Sequence, residues 1–425
     1  MKYFLPVLLG KLVRVLTKLR GGGSAFPGYL MLKLAPRFLD DVTSGFEHGI
    51  VFVLGSNGKS TTTHMLTETL RAHGVHVFTN PSGANLPQGI ASSILAECDA
   101  FGRLRADIAV LEVDEAYALE LARILRPSTV LMLNTQVDQL YRFYETERVA
   151  DMMLDTAALA KSHIVSNRDD PYLSKAGARL GEVSTPDVHF FGASEAIVAA
   201  SPHGLVNAPD YRGAGTLQVR HPARAEVTAT SSTGATVAVD GLPIDLTLPA
   251  KGLHFAVDAA AALATTAVIL GDRFDPDAAV RAFAAMKPAY GRGELLDFGD
   301  EKVEFVMFKN AASLQLNLDA LPEPPQQVLL AIDEGTPDIS WIYDVGFTAL
   351  DHVDVITGAK AWQIALRLEH QGMPIGVVEP DLDRAIELMR LLPKPDRGVK
   401  TWIVNYEIMM LARKRIGFLN LENQR

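Results

Sequence analysis

From Leu54 to Ser60 the chain reads Leu-Gly-Ser-Asn-Gly-Lys-Ser, a spacing of glycines, a cation and a hydroxyl that suits the binding of phosphate. Gly55 and Gly58 let the backbone approach anionic oxygens, and the amides at a helix start point at the charge. Lys59 adds a positive charge, and the Ser60 hydroxyl can ligate magnesium. The chemistry predicted is the binding of a nucleoside triphosphate. The loop is a short form, because Val53 stands where the commoner pattern has its first glycine.

Positioning such a loop requires a buried strand before it and a helix after it. Ile50 to Leu54 is a continuous apolar run, and a helical pattern follows from about Ser60 to His73, ending at Gly74. Further strands are predicted at Val75 to Phe78, Ile108 to Val113, Thr129 to Asn134, His163 to Ser166 and His189 to Phe191, with helices between them, notably Leu119 to Leu125 and Val149 to Ala160. Strands alternating with helices imply an α/β fold with a mostly parallel sheet, and ligands at the carboxyl ends of its strands. At one such end Glu112 lies in an otherwise apolar strand, where an unpartnered carboxylate would be costly, so it is a candidate second ligand for magnesium. Asn134 and Asp138 follow another strand, and turn or cap chemistry accounts for them equally well.

The 425 residues exceed one ordinary core. We divide them into 1–46, an amphipathic helix and connecting segment; 47–288, the nucleotide-binding domain; and 289–425, a smaller Rossmann-like α/β domain. Within the second, residues 192–247 are rich in Gly, Ala and Thr and predict short antiparallel strands. The last domain carries predicted strands at Val303 to Phe308, Val328 to Ile332, Val353 to Thr357 and Thr401 to Val404, and helices at Ala361 to His370 and Asp381 to Leu392.

A net charge of −10 argues against a nucleic-acid partner. Cys98 is the single cysteine and the eleven histidines lack ligand spacing, so no zinc is expected and a cytoplasmic location is the natural reading. Near the N-terminus Leu8, Leu9, Leu12, Val13, Leu16 and Leu19 form a helical stripe opposite Lys11, Arg14 and Lys18. It is expected to pack on the protein's own core; the alternative is the inner face of the membrane.

The short loop, Glu112, the Asn134 to Leu140 segment and Gly291-Arg292-Gly293-Glu294 occur in the order found in the Mur ligase superfamily. Within it the chain resembles the MurT group, the ATP-using subunits of lipid II isoglutaminyl synthase. The resemblance is carried by Arg20-Gly21-Gly22-Gly23-Ser24-Ala25-Phe26-Pro27-Gly28, Thr79-Asn80-Pro81-Ser82-Gly83-Ala84-Asn85-Leu86, Leu111-Glu112-Val113-Asp114-Glu115-Ala116 and Asp338-Ile339-Ser340-Trp341-Ile342-Tyr343-Asp344. It implies a Mur-ligase-like central domain and ATP-dependent, magnesium-dependent amidation of the D-glutamate α-carboxylate in lipid II, a step of peptidoglycan and cell-wall synthesis. Ammonia would come from a glutaminase subunit resembling GatD. On that mapping Gly55, Asn57, Gly58, Lys59, Ser60 and Thr61 hold phosphates and metal, Glu112 shares the magnesium with Ser60, and Arg292 reaches the γ-phosphate. Asn134 and Asp258 belong to the nucleotide site. Asp338, with Asp344 in reserve, would supply the carboxylate that completes the partner's Cys-His machinery.

The pattern departs in three places. One cysteine cannot build the four-cysteine zinc ribbon of many MurT chains. Phe255 and Asp258 stand where asparagines are usual, one of which contacts the adenine, and Lys309-Asn310-Ala311-Ala312-Ser313 keeps only the first two residues of its motif. Two other function classes compete: a stand-alone Mur-type ligase that joins an amino acid to a carboxylate, and a nucleotide-binding module without catalysis.

Overall fold

The structure is a computed structural model that describes residues 2–19, 25–80, 84–138, 145–180, 186–209, 220–287, 292–333 and 339–418. Two compact units emerge, one formed by Met1–Ile197, Asn207–Leu248 and His254–Met286, the other by Val198–Val206, Pro249–Leu253 and Lys287–Arg425.

Among the described residues the first unit holds a nine-stranded sheet in the order β2-β3-β1-β4-β5-β6-β7-β8-β9. Its strands are β1 (Ile50–Leu54), β2 (Val77–Thr79), β3 (Ile108–Glu112), β4 (Thr129–Met132), β5 (His163–Asn167), β6 (Asp187–Ala193), β7 (Ala225–Thr230), β8 (Gly234–Val239) and β9 (Leu242–Thr247). From β2 to β7 every pairing is parallel, whereas β7, β8 and β9 are antiparallel. The Gly- and Thr-rich segment thus extends the main sheet. β1, β3 and β4 are wholly buried, which is why they read as unbroken apolar runs. After β2 and β3 on one side of β1, the chain crosses to β4 on the other, and the loop after β1 opens at this switch of strand order. The helix Leu253–Leu270 is apolar enough to cross a membrane, but it is mostly buried inside this unit.

Helices α1 (Phe4–Leu19), α2 (Phe26–Leu34) and α3 (Phe38–Thr43) also belong to this unit. The leucine stripe of α1 does not pack on the core as expected. Leu8, Leu9, Leu12, Leu16 and Leu19 are exposed, while Val7 and Gly10 on the opposite face are buried. A Cβ on Gly10 would lie 2.7 Å from Leu95 Cδ2, so the missing side chain lets α1 sit close.

The second unit contains a six-stranded sheet in the order β10-β11-β15-β12-β13-β14 among the described residues. Its strands are β10 (Arg292–Phe298), β11 (Glu301–Phe308), β12 (Val328–Ala331), β13 (Val353–Thr357), β14 (Ile375–Val378) and β15 (Lys400–Asn405). All pairings are parallel except the β10/β11 hairpin. Trp402 anchors one face of this sheet with Phe298 and Phe305, each ring centroid 5.2 Å away in edge-on contact.

Candidate active site

β1 delivers the chain into Gly55 and Gly58, both with positive φ, and α4 (Lys59–Ala72) starts directly afterwards. The neighbours leave no room for side chains at either glycine. A Cβ on Gly55 would lie 2.9 Å from Leu133 Cβ, and one on Gly58 would lie 2.5 Å from Asp258 Oδ1.

The strands beside β1 hold this loop from both sides. On one side Val53 is level with Glu112 in the β1/β3 register, and the Ser60 hydroxyl donates to Glu112 Oε2 at 2.7 Å. Glu112 is itself fixed by Asn80, whose amide donates to the Glu112 carbonyl while its oxygen accepts from the Glu112 N–H, both at 2.9 Å. On the other side Asn134 grips Asn57: Oδ1 accepts from the Asn57 N–H, and Nδ2 donates to the Asn57 carbonyl, each at 3.0 Å. The Ser56 N–H donates to the Asn134 carbonyl at 3.1 Å, and the Gln136 N–H donates to Ser56 Oγ at 3.0 Å. Behind these, the buried Asp170 accepts from the Thr135 N–H and hydroxyl. The cap-like role left open for Asn134 is therefore replaced by a clamp on the loop.

Lys59 lies in this cradle with its ammonium donating to Glu115 Oε1 at 2.6 Å and to the Gly55 carbonyl. Burial pulls the lysine's pKa down, but the charges of Glu115 and Glu112, with a smaller contribution from Asp138, outweigh it and hold the pKa above its ordinary value. The cation is locked in its charged form. Glu115 also accepts from the Gly55 N–H at 3.1 Å. Its part was missed in the sequence, although it stands three residues after Glu112, behind an Asp114 side chain that caps α5 (Glu115–Leu125) by accepting from the Ala116 N–H.

The structure thus gathers Gly55, Asn57, Gly58, Lys59, Ser60, Thr61, Glu112, Asn134 and Asp258 at one end of the first sheet. Asp258 brings its carboxylate against the backbone of Gly58. The buried Thr61 Oγ1 has no hydrogen-bond partner among the described residues. An orphaned hydroxyl, a charged lysine and a serine-carboxylate pair fit a nucleotide phosphate chain with magnesium.

Other predicted residues belong to the second unit. Arg292 opens β10 in the second unit, level with Val306, and its side chain lies outside the described residues. Asp338 also lies outside them. The segment that follows is held firmly: Ile339, Ile342, Val345 and Phe347 are buried, and Arg367 donates to the carbonyls of Ile342, Tyr343 and Val345 at 3.0 to 3.1 Å. Asp344 is exposed on that anchored turn. Asn310 caps the helix Ala311–Asp319, with its Oδ1 accepting from the Ser313 N–H at 3.0 Å, which gives it a structural role.

Histidine spacing in sequence hid one cluster. β5 and β6 pair in parallel and bring ligand atoms of His163, Asp187 and His189 within 4.8 Å of one another. Burial lowers both imidazole pKa values, and Arg224 lowers them further, while the Asp187 carboxylate pulls the other way, more strongly than Arg224 at His163. The same positive charge opposes a metal cation.

Comparison with known proteins places this site in a family. Residues 53–266, half of the chain, match the Mur ligase middle domain. The chain belongs to the Mur ligase family. Residues 307–409 match the MurT ligase C-terminal domain. Over 408 residues, 88% of each chain, the protein is 26% identical to the MurT subunit of the glutamine-hydrolysing lipid II isoglutaminyl synthase of Streptococcus pneumoniae. Among solved Mur ligase structures, Thermotoga maritima MurF in complex with ADP is similar at TM-score 0.65 and 17% identity, covering 93% of this chain and 85% of that one. Mycobacterium tuberculosis folylpolyglutamate synthase, complexed with ADP and AMPPCP, gives 0.64 and 16%, covering 91% and 93%.

Proposed function

We propose that this Mur-family ligase uses ATP to amidate the α-carboxylate of D-glutamate in the stem peptide of lipid II, forming D-isoglutamine. The observation that carries the reading is the cradle itself, with a charged Lys59 beside the Ser60 and Glu112 pair, on a chain similar over most of its length to a MurT subunit.

In this mechanism the substrate carboxylate attacks the γ-phosphorus of ATP and ADP departs. Ammonia then attacks the acyl carbon of the resulting acyl phosphate, loses a proton and expels phosphate. Lys59 and the amides at the start of α4 stabilise negative charge on the phosphates. Ser60 and Glu112 would hold magnesium, which supplies charge neutralisation to the transferring group. Asn134 keeps the loop in register by its two bonds to Asn57. Arg292 is assigned to the γ-phosphate, and Asp258 and Thr61 to the nucleotide site.

Ammonia would be delivered by a glutaminase resembling GatD, for which this chain supplies a carboxylate. The similar S. pneumoniae protein is named as a subunit, which supports a partner. Asp338 is assigned that role because a Cys-His pair needs an acidic group to orient the imidazole and stabilise its cation. Asp344, exposed on the turn that Arg367 anchors, is the reserve. The site of action is the cytoplasm at the inner face of the membrane.

A paired assay tests the reading. Asp338→Asn should lower glutamine hydrolysis by the reconstituted complex at least about a hundredfold, while amidation from free ammonium persists. Loss of neither activity transfers the role to Asp344 or ends the shared-carboxylate idea. Activity without any glutaminase, and only with an added amino acid, would favour a stand-alone ligase.

A further inference from the structure

The helix α1 is mounted inside out. Its leucine ridge, Leu5, Leu8, Leu9, Leu12, Leu16 and Leu19, points to solvent, with Leu5 62%, Leu12 56% and Leu19 79% exposed. Val7, by contrast, is wholly buried, and the Lys11 ammonium is turned back onto the first unit, donating to the Cys98 carbonyl. Amphipathic helices of soluble proteins bury the apolar face and wet the polar one, and α1 does the reverse.

Other exposed aromatics accompany the ridge. The Phe4 ring lies 5.7 Å from that of Phe101, which carries the Arg103 guanidinium 5.9 Å from its centroid. On α2, which packs beside α1, Phe26 and Tyr29 are stacked and more than half exposed. Aromatic rings beside basic groups suit the headgroup layer of a bilayer.

Charge selects the occupant. The first 41 residues contain seven Lys or Arg against two acidic residues, Asp40 and Asp41, which pair with Lys2 and Arg37, whereas the remainder carries 33 basic against 48 acidic residues. A net-positive segment that bears a leucine ridge, on an otherwise acidic protein, is complementary to an anionic lipid surface. Pairing with the same face of a second copy would set like charges together.

We propose that α1, with the exposed ring pair of α2, docks the protein on an anionic bilayer, laying the leucine ridge among the acyl chains while the rest of the first unit stays in water. Docking stands on geometry and charge alone; only its purpose, meeting a lipid-linked substrate, rests on the function proposed above.

Vesicle flotation of the full chain tests it without ATP or substrate, so its outcome is separable from that of the amidation assay. The wild type should float with vesicles containing phosphatidylglycerol, less with pure phosphatidylcholine, and less again as salt rises. Leu12→Glu with Leu16→Glu should cut binding at least about tenfold, with an unchanged circular dichroism spectrum. The neutral pair Leu12→Gln and Leu16→Gln should bind at an intermediate level and guards against a folding artefact. Equal flotation of all three proteins, or none by the wild type, overturns the proposal. So does a wild-type dimer, or capture of a glutaminase, that the glutamate pair abolishes while lipid binding persists.

Discussion

The Lys59 ammonium and the Glu115 carboxylate form a buried ion pair at 2.6 Å, and Glu115 also takes the Gly55 N–H. One carboxylate therefore neutralises the cation of the phosphate loop and fixes the loop's first turn. Removing one partner of a buried pair costs more than the pair contributes, because the other charge is left uncompensated. Glu115→Ala should lower unfolding stability by about 3 kcal/mol, measured by urea titration. ADP should then stabilise the variant more than the wild type, since phosphate would supply the missing negative charge. An equal ADP effect on both proteins would contradict this.

Lys59→Ala addresses catalysis directly. The charge interaction strengthens as phosphoryl charge develops, so its loss should cost about 3 kcal/mol or more, roughly a hundredfold in rate. Near-normal turnover would remove the loop from the mechanism.

The Ser60 hydroxyl donates to Glu112 at 2.7 Å, and these two are the assigned magnesium ligands. Ser60→Ala should raise the magnesium concentration needed for half-maximal activity by at least about tenfold while saturating magnesium restores much of the rate. An unchanged magnesium titration would place the metal elsewhere.

Much of this arrangement could be read from residue order. β1 and β3 are apolar without alternation because both faces are covered, and Glu112 stood out against that background. Other parts were hidden for physical reasons. β14 is a half-exposed edge strand containing Gly376, and β10 is a mixed run with Gly293 at positive φ, so neither carries a clear period. The role of Asn80 rests on a two-bond match to the backbone of one residue of β3, Glu112, which no local pattern encodes. Periodicity located the apolar stripe of α1 but carried no information on which face would meet the protein.

His163 and His189 have lowered pKa values, chiefly through burial. Their neutral forms are favoured on folding, so the associated stability is present above the unfolded value of 6.5 and lost as pH falls through the folded values. Between about pH 7 and pH 5 the wild type should lose more thermal stability than a His163→Gln, His189→Gln variant. Elemental analysis should find no stoichiometric zinc, given Arg224 beside the pair. Parallel pH profiles, or one zinc per chain lost in the variant, would contradict this account.

The central claim is ATP-driven amidation of a lipid-linked carboxylate, and product analysis tests it most directly. The purified chain would be incubated with lipid II, ATP, magnesium and ammonium, and the stem peptide examined by tandem mass spectrometry together with ADP and phosphate release. The account predicts that the D-glutamate α-carboxylate becomes a carboxamide, with one ADP and one phosphate formed per amide. An unmodified stem peptide in the presence of bound nucleotide, or ATP consumption that appears only with an added amino acid, would contradict it.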